Sequence, residues 1–374
     1  MSTNPLKKKR NDKTDDKAKT YDSDYDVLDI IEESDDAEET VKTKKSKKKL
    51  VGMVFARIGI SIATLLVLIV IGLFGVVAIL QVGPSEAARN IFVNSAMESS
   101  MGGFVCKIFF SDEEIAQIRA LNSVEKTEDV TDSSLISDTS ELTESEKDFI
   151  EIIDLDKDTY KGKMMIVRDP SRVSVGVSGE YGRNCSGRKV SEIAESYGAI
   201  AATNAGGFYD AGGVGLGGEP DGLVISDGEL KWGNKDTTYE VIGIDKNNVL
   251  VVGNMTAAQA LDRGVRDAVS FGPILIVNNE AVEINGKGSG LNPRTAIGQR
   301  EDGSILLAVI DGRQVNSLGA SYSDVIDLML EYGAVNAANL DGGSSSLLYY
   351  KGEYINSCAS MTGPRDLPTT IIVK

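Results

Sequence analysis

Hydrophobic and polar positions change pattern several times along the chain. Residues 1–49 hold thirteen Lys/Arg and thirteen Asp/Glu but almost no apolar run. The charges are sorted into a basic block (Lys7 to Lys19), an acidic one (Asp22 to Glu39) and a second basic one (Lys42 to Lys49). So little apolar surface cannot offset the entropy of ordering, which predicts a disordered tail over 1–49. The stretch "IGISIATLLVLIVIGLFGVVAIL", residues 58–80, then runs 23 positions without a charge. At about 1.5 Å per residue it reaches ~34 Å, enough for a hydrocarbon core of roughly 30 Å. Residues 50–82 are therefore predicted to be a transmembrane signal-anchor helix. The lysines at 42, 44, 45 and 47–49, with Arg57, precede the span and predict a cytoplasmic N-terminus and an extracellular remainder.

Beyond the span the pattern is first helical. Residues 85–98 are spaced as a short amphipathic helix, and Ser111 with Glu114 opens a second through a capping-box pattern. Residues 83–121 are read as a helical stalk. Residues 122–148, rich in Ser, Thr, Asp and Glu, are predicted to be an acidic flexible linker. From 149 the runs become short and β-rich: "KMMIVRD", "RVSVGVS", "GLVISDG", "YEVIGI", "NVLVVG", "SILLAVIDG", "SLLYYKGEYI" and "TTIIVK". Helical patches interrupt them at "SEIAESYG", "TAAQALDRG" and "SDVIDLMLEYG". Strands that follow one another directly predict a single α+β domain over 149–374. Its sheet should be largely antiparallel or mixed, with flanking helices.

Charge and composition narrow the chemistry. The part after the span carries 25 Lys/Arg against 43 Asp/Glu, a surface that disfavours nucleic acid and anionic headgroups. An anionic ligand there needs a local cluster of donors. There is no histidine, so the commonest general base, Ser-His and Cys-His pairs and most zinc sites are excluded. Carboxylates must carry any proton transfer. Of the three cysteines, Cys185 and Cys358 both fall in the predicted domain and are the better-matched pair if a disulfide forms, which spacing alone leaves open, while Cys106 falls in the stalk.

Polar residues concentrate at the ends of apolar runs. "ATNAGGFYD" (202–210) offers Asn204 and Asp210, and "GVGLGGEPDG" (213–222) offers Glu219 and Asp221. The glycines of the latter invite a phosphate-loop reading, but no Gly-Lys-Ser/Thr follows. "NPRTAIG" (292–298) places Arg294 at the head of a strand, where a guanidinium either clamps a phosphate or closes a structural ion pair. "AVIDGR" and "NLDGGSSS" each end an apolar run in Asp-Gly, at Asp311 and Asp341. A hairpin turn explains the first as well as a site does. A turn needs neither the second glycine nor the serine run of 342–346, and a nest of backbone N–H groups for an anion would use both.

These fragments, "NAGGFYD", "SFGPILIVNNE", "NPRTAIG", "ILLAVIDGR", "SDVIDLMLEYGA" and "ANLDGGSSSLL", resemble in order the phosphodiester glycosidase family across roughly residues 199–350. In one place the sequence departs from the family pattern, which is similar to Asn-Gly-Gly-Phe-Phe: here Ala205 separates Asn204 from Gly206. The resemblance implies cleavage of a sugar–phosphate diester at the anomeric carbon. It also implies site roles for Arg294, Asp311, Arg313, Asp341, Gly342, Gly343 and Ser344, with Asn204 at the weaker motif.

Residues and resemblance together assign expected roles. Asp341 activates water or attacks the anomeric carbon, assisted by Asp311 or Glu219. Arg294, Arg313, Asn204, Gly342, Gly343 and Ser344 bind the phosphate or sugar. A carboxyl separation of about 5–5.5 Å would give retention and ~6.5–9.5 Å inversion. No cofactor or catalytic metal is called for, with room left for a structural or substrate-screening divalent cation. The expected partner is a phosphorylated glycan of the cell envelope or an exopolysaccharide. Two rival readings stand beside it: a non-catalytic, membrane-tethered module that binds phosphorylated glycans, and a metal-dependent phosphodiesterase.

Overall fold

Strands that are apolar at every position, such as "ILLAVI" at Ile305–Ile310, have no wet face, and the structure buries them on both sides. The computed structural model describes residues 27–210, 215–360 and 362–374. Ile305–Ile310 lies inside a seven-stranded sheet. Its strand order is Ile150–Asp156, Lys161–Val167, Ile305–Ile310, Arg294–Arg300, Ala334–Leu340, Ile274–Val277 and Glu280–Ala281. Alternate residues serve opposite faces. Met165, Leu307, Val309, Ile297 and Leu340 face one cluster, whereas Met164, Leu306, Ala308, Ala296 and Ala337 face another.

Two five-stranded sheets complete the domain. One orders Glu353–Tyr354, Leu348–Tyr350, Ala201–Asn204, Thr369–Val373 and Val173–Val177; the other orders Glu229–Trp232, Val224–Ser226, Val265–Ser270, Thr238–Asp245 and Leu250–Thr256. All named pairings are antiparallel. The three sheets share one core, to which Leu307, Ile371 and Ile242 each contribute from a different sheet. Each sheet covers its other face with a helix: Tyr322–Glu331, Val190–Ser196 and Ala257–Asp262. The fold is thus α+β, as the strand and helix runs predicted, and the sheets are antiparallel rather than mixed.

The chain divides into two compact units, residues 1–75 and 76–374. Residues 1–26 of the expected tail lie outside the described residues. From Val27 the chain is already helical, in an element that ends at Val82. That corrects the expectation of disorder over 27–49, where Ala, Glu and Lys are strong helix formers despite the lack of a core. Within it, Lys42–Val82 is long and apolar enough to cross a membrane, by length and composition.

The expected stalk is a cluster of three helices, Glu86–Met97, Ser100–Phe109 and Asp112–Ala120, around Val93, Cys106, Phe110, Ile115 and Ile118. Ser111 and Glu114 form the reciprocal capping box that the sequence predicted. The expected linker is not a free segment. Val124 bridges to Ile284, the Thr131 amide donates to Val252 O at 3.1 Å, and Ser137 N–H donates to Glu301 O at 2.8 Å. Thr131 is buried, and its hydroxyl accepts from Val252 N–H at 2.9 Å and donates to Leu250 O at 3.1 Å. Residues 122–148 are a strap, because their few apolar and β-branched residues find an open sheet edge. On the disulfide left open by the sequence, the structure has Cys106, Cys185 and Cys358 all free. Cys358 packs with the cluster around helix Val190–Ser196, and Cys185 lies against Gly218.

The strap gives a direct stability test. Thr131→Val keeps the shape but strands the buried Val252 amide and Leu250 carbonyl, and should destabilise the domain by about 1–3 kcal/mol. Chemical denaturation would read this; a flexible linker would show no change.

Candidate active site

Strand register gathers the polar strand ends. Arg294 stands opposite Ile310, and Thr295 opposite Leu340, so Arg294, Asp311 and Asp341 all emerge at one end of the seven-stranded sheet. A pocket of about 290 Å³ opens there, lined by Asp341, Gly342–Ser345, Arg294 and Arg313, and by Asp210, Phe208, Arg365, Tyr322 and Glu98 among others.

Asp341 is the pocket's enclosed carboxylate. Its Oδ1 accepts the Gly342 amide at 2.9 Å, and its Oδ2 is shut from water without a hydrogen-bond partner. Burial pushes its carboxyl up to about 6, against the nearby Ser345 hydroxyl, the Gly342 amide and Arg365. Asn204 sits below rather than in the pocket. It is fully buried; its side-chain amide donates to the Asp341 carbonyl, and its Oδ1 accepts from Thr295 Oγ1 at 2.9 Å and Leu347 N–H at 3.2 Å. It braces the turn that carries Asp341.

The two glycines have a different use from the one expected. The Gly342 amide goes to the Asp341 carboxylate and the Gly343 amide to Pro293 O at 2.9 Å, so neither is offered to a ligand as an open nest. A Cβ on Gly342 would lie 2.9 Å from Pro293 O, and Gly343 has φ +61 with its α-carbon face against the Arg313 guanidinium. Glycine is needed so that the turn can close onto Pro293 and Arg313. Ser344 Oγ receives the Arg365 guanidinium at 3.4 Å.

Arg294 is buried and heavily engaged. Its Nε donates to Ala320 O at 3.1 Å; its Nη2 reaches Glu98 Oε2 at 2.7 Å, Ser289 Oγ at 2.9 Å and Gly290 O at 3.0 Å; the guanidinium lies 4.3 Å from the Tyr322 ring centroid. The structural ion pair weighed for it is present. Its partner Glu98 comes from the helical segment and also accepts from Gly290 N–H at 3.0 Å and Asn292 Nδ2 at 2.8 Å. Arg313, at φ +58, donates to Asn292 Oδ1 through Nε at 3.2 Å and Nη2 at 2.9 Å. Burial, then Arg294, pushes its pKa down, against Glu98.

Two expected carboxylates lie elsewhere. Asp311 Oδ1 accepts from Asn356 Nδ2 at 2.9 Å and Ser357 N–H at 3.0 Å, in a separate cleft shared with Asp156 and Lys161. Burial raises its pKa, but its oxygen serves to pin the 356–357 turn. Glu219 Oε2 lies 3.6 Å from Arg183 Nε and does not line the pocket. Residues 211–214, at the start of its glycine-rich stretch, lie outside the described residues. In their place stand Asp210 and Arg365, paired at 2.8 Å, with Arg365 stacked 4.8 Å from the Phe208 ring centroid. Asp210 was visible in its motif. Arg365 carries no signal beyond a Gly-Pro turn before it, and Glu98 none at all. Among the described residues, no group of three or more Asp, Glu or Cys side chains converges as metal ligands would.

In comparison with known proteins, residues 197–374 match the model of the phosphodiester glycosidase family. The SPbeta prophage-derived uncharacterized protein YomE of Bacillus subtilis (strain 168) is 30% identical over 203 residues, 49% of this chain and 29% of that protein. The N-acetylglucosamine-1-phosphodiester alpha-N-acetylglucosaminidase of Mus musculus is 28% identical over 212 residues, 51% of this chain and 40% of that enzyme. The chain thus spans well under half the length of these relatives. The zebrafish enzyme of that name, solved as a catalytic domain auto-inhibited by its pro-peptide, shares the fold with a TM-score of 0.53 and 23% identity, over 66% of this chain and 87% of that one.

The raised Asp341 pKa has a thermodynamic sign. Folding favours its protonated form, so its contribution to stability is greatest below the unfolded carboxylate range and is lost as pH rises through about 6. Asp341→Asn removes that penalty. Its melting temperature should exceed wild type more at pH 7.5 than at pH 5, as read by thermal unfolding at both values. An equal difference at both would refute the buried carboxyl.

Proposed function

We propose that the domain is a membrane-anchored, extracytoplasmic hydrolase that cleaves a sugar-1-phosphodiester at the anomeric carbon, acting on a glycan of the cell envelope or an exopolysaccharide. The observation that carries this reading is Asp341: an enclosed carboxylate with one free oxygen, in a pocket that also holds Arg313 and the Arg365–Asp210 pair. The family match and the activity named for the mouse and zebrafish relatives supply the reaction class. The apolar segment Lys42–Val82, with its lysines and Arg57 on the N-terminal side, supports the anchor and its orientation.

The chemistry follows from charge. In hydrolysis water adds to the anomeric carbon, the bond from that carbon to the bridging phosphate oxygen breaks, and a phosphate monoester leaves. The leaving group's charge must be neutralised, and Arg313 and Arg365 are placed to do it, with the Ser344 hydroxyl beside them. Arg294 holds the wall of the pocket through Glu98 and Tyr322 and adds positive potential. Asp341, ionised above about 6, activates water or attacks the sugar. Asp210 takes the second-carboxylate role first expected of Asp311 or Glu219, because of the two acids that share the pocket with Asp341 the other, Glu98, is taken up by Arg294, Gly290 and Asn292.

Full-length protein should release free sugar and a phosphate monoester from methyl-phospho-α-N-acetylglucosamine, followed by NMR. Asp341→Asn should lose about 10²–10⁴-fold in rate, and Arg365→Ala about 10²-fold. The wild-type rate should fall as pH drops below about 6. Binding of the diester without turnover would move the reading to a tethered glycan-binding module, and full activity in Asp341→Asn would remove Asp341 from the mechanism.

A further inference from the structure

The pocket that holds Asp341 adjoins a much larger cleft, of about 1080 Å³ against 290 Å³. The smaller volume is near the low end of a small-ligand site (roughly 300–1,000 Å³), enough for one sugar and its phosphate, and the larger exceeds that range. Glu98, Phe271 and Tyr322 line both, so the cleft begins where the diester pocket ends. One wall comes from the helical segment, including Arg119, and the start of the strap, including Lys126. The other comes from the strand Thr238–Asp245 and the turn after Ser270, with Tyr239, Glu240 and Phe271.

No step of the hydrolysis uses this cleft. Its chemistry is nevertheless selective. Tyr239, Phe271 and Tyr322 are half-buried in its lining; the Arg294 guanidinium covers one face of Tyr322, which leaves Tyr239 and Phe271 as the surfaces on which the apolar face of a sugar ring can rest. Glu240 is half-buried at the cleft wall, and its carboxyl packs so closely on Gly272 that a Cβ there would lie 2.5 Å from its oxygen. A carboxylate fixed in this way is an acceptor for hydroxyl groups. The charged lining groups are Glu98, Glu125, Asp221 and Glu240 against Arg119 and Lys126, and with Glu98 paired to Arg294 the balance is still acidic, within an acidic domain. A chain with a phosphate in every repeat would be repelled there.

We infer that this cleft is a binding site for an uncharged oligosaccharide several units long, running on from the diester in the smaller pocket. The substrate class is then a neutral glycan that carries an isolated phosphodiester, and not a polymer built of phosphodiesters. This rests on the hydrolase reading for what lies in the smaller pocket. The binding itself is tested without turnover.

Full-length protein in detergent would be titrated by calorimetry and saturation-transfer NMR with N-acetylglucosamine, chitotetraose, maltotetraose and a short poly(glycerol phosphate). At least one neutral tetramer should bind about fivefold or more tighter than the monosaccharide, and the polyanion should not bind. Tyr239→Ala on one wall and Arg119→Ala on the other should each weaken the tetramer by about threefold or more. Arg119 is exposed on its helix, so its replacement leaves the fold intact. Neither tetramer binding, a tetramer no tighter than the monosaccharide, equal binding of the polyanion, or unchanged affinity in folded Arg119→Ala would overturn the inference. Tetramer binding with no turnover of the short diester would instead sink the hydrolase reading and leave the cleft standing.

Discussion

The close approach of two chain segments at the end of the seven-stranded sheet is the constraint on which the site depends. The turn after Leu340 folds onto Pro293, the residue that leads into the neighbouring strand, through the Gly343 amide and the Cβ-free Gly342. Antiparallel register fixes how far along each strand that meeting occurs. Asn204 then ties the same turn to the adjoining five-stranded sheet through the Asp341 carbonyl. Two sheets and one turn therefore hold a carboxylate where its charge is disfavoured, which is how a fold prepares an acid for chemistry near neutral pH.

A second consequence concerns the arginines. Three guanidinium groups, from Arg294, Arg313 and Arg365, line one small pocket, and each is restrained by an acceptor: Glu98, Asn292 and Asp210. Two of them are matched by carboxylates, so Arg313, held by the neutral Asn292, is the guanidinium of the three without an ion-pair partner among the described contacts. The pairing of Arg294 also explains why the helical segment is more than a spacer. Glu98 satisfies Gly290, Asn292 and Arg294 together, so the segment between the apolar helix and the family-matched residues is part of the pocket's wall.

The sequence made much of this legible. Short, β-rich, turn-bounded runs predicted the strands, and the Ser111–Glu114 spacing predicted its capping box. Asp341 and Arg294 are legible because each stands where an apolar run begins or ends, and Arg313 through the family resemblance. What stayed hidden depends on tertiary closure. Asp311 has the same Asp-Gly signature as Asp341, yet Asn356 and Ser357, from the loop after the strand Glu353–Tyr354 of another sheet, capture it. Glu98 and Arg365 reach the pocket from segments without a motif, and local spacing holds no trace of the partner. Residues 122–148 read as a linker because composition reports apolar content, not the open sheet edge that a buried threonine can join.

The central claim is cleavage at the sugar carbon and not at phosphorus, and oxygen labelling tests it most directly. Hydrolysis of methyl-phospho-α-N-acetylglucosamine in water enriched in the heavy oxygen isotope would be followed by mass spectrometry of both products. Label in the released sugar, with none in the phosphate monoester, is the result this account predicts. Label in the phosphate monoester would place the broken bond at phosphorus and contradict it.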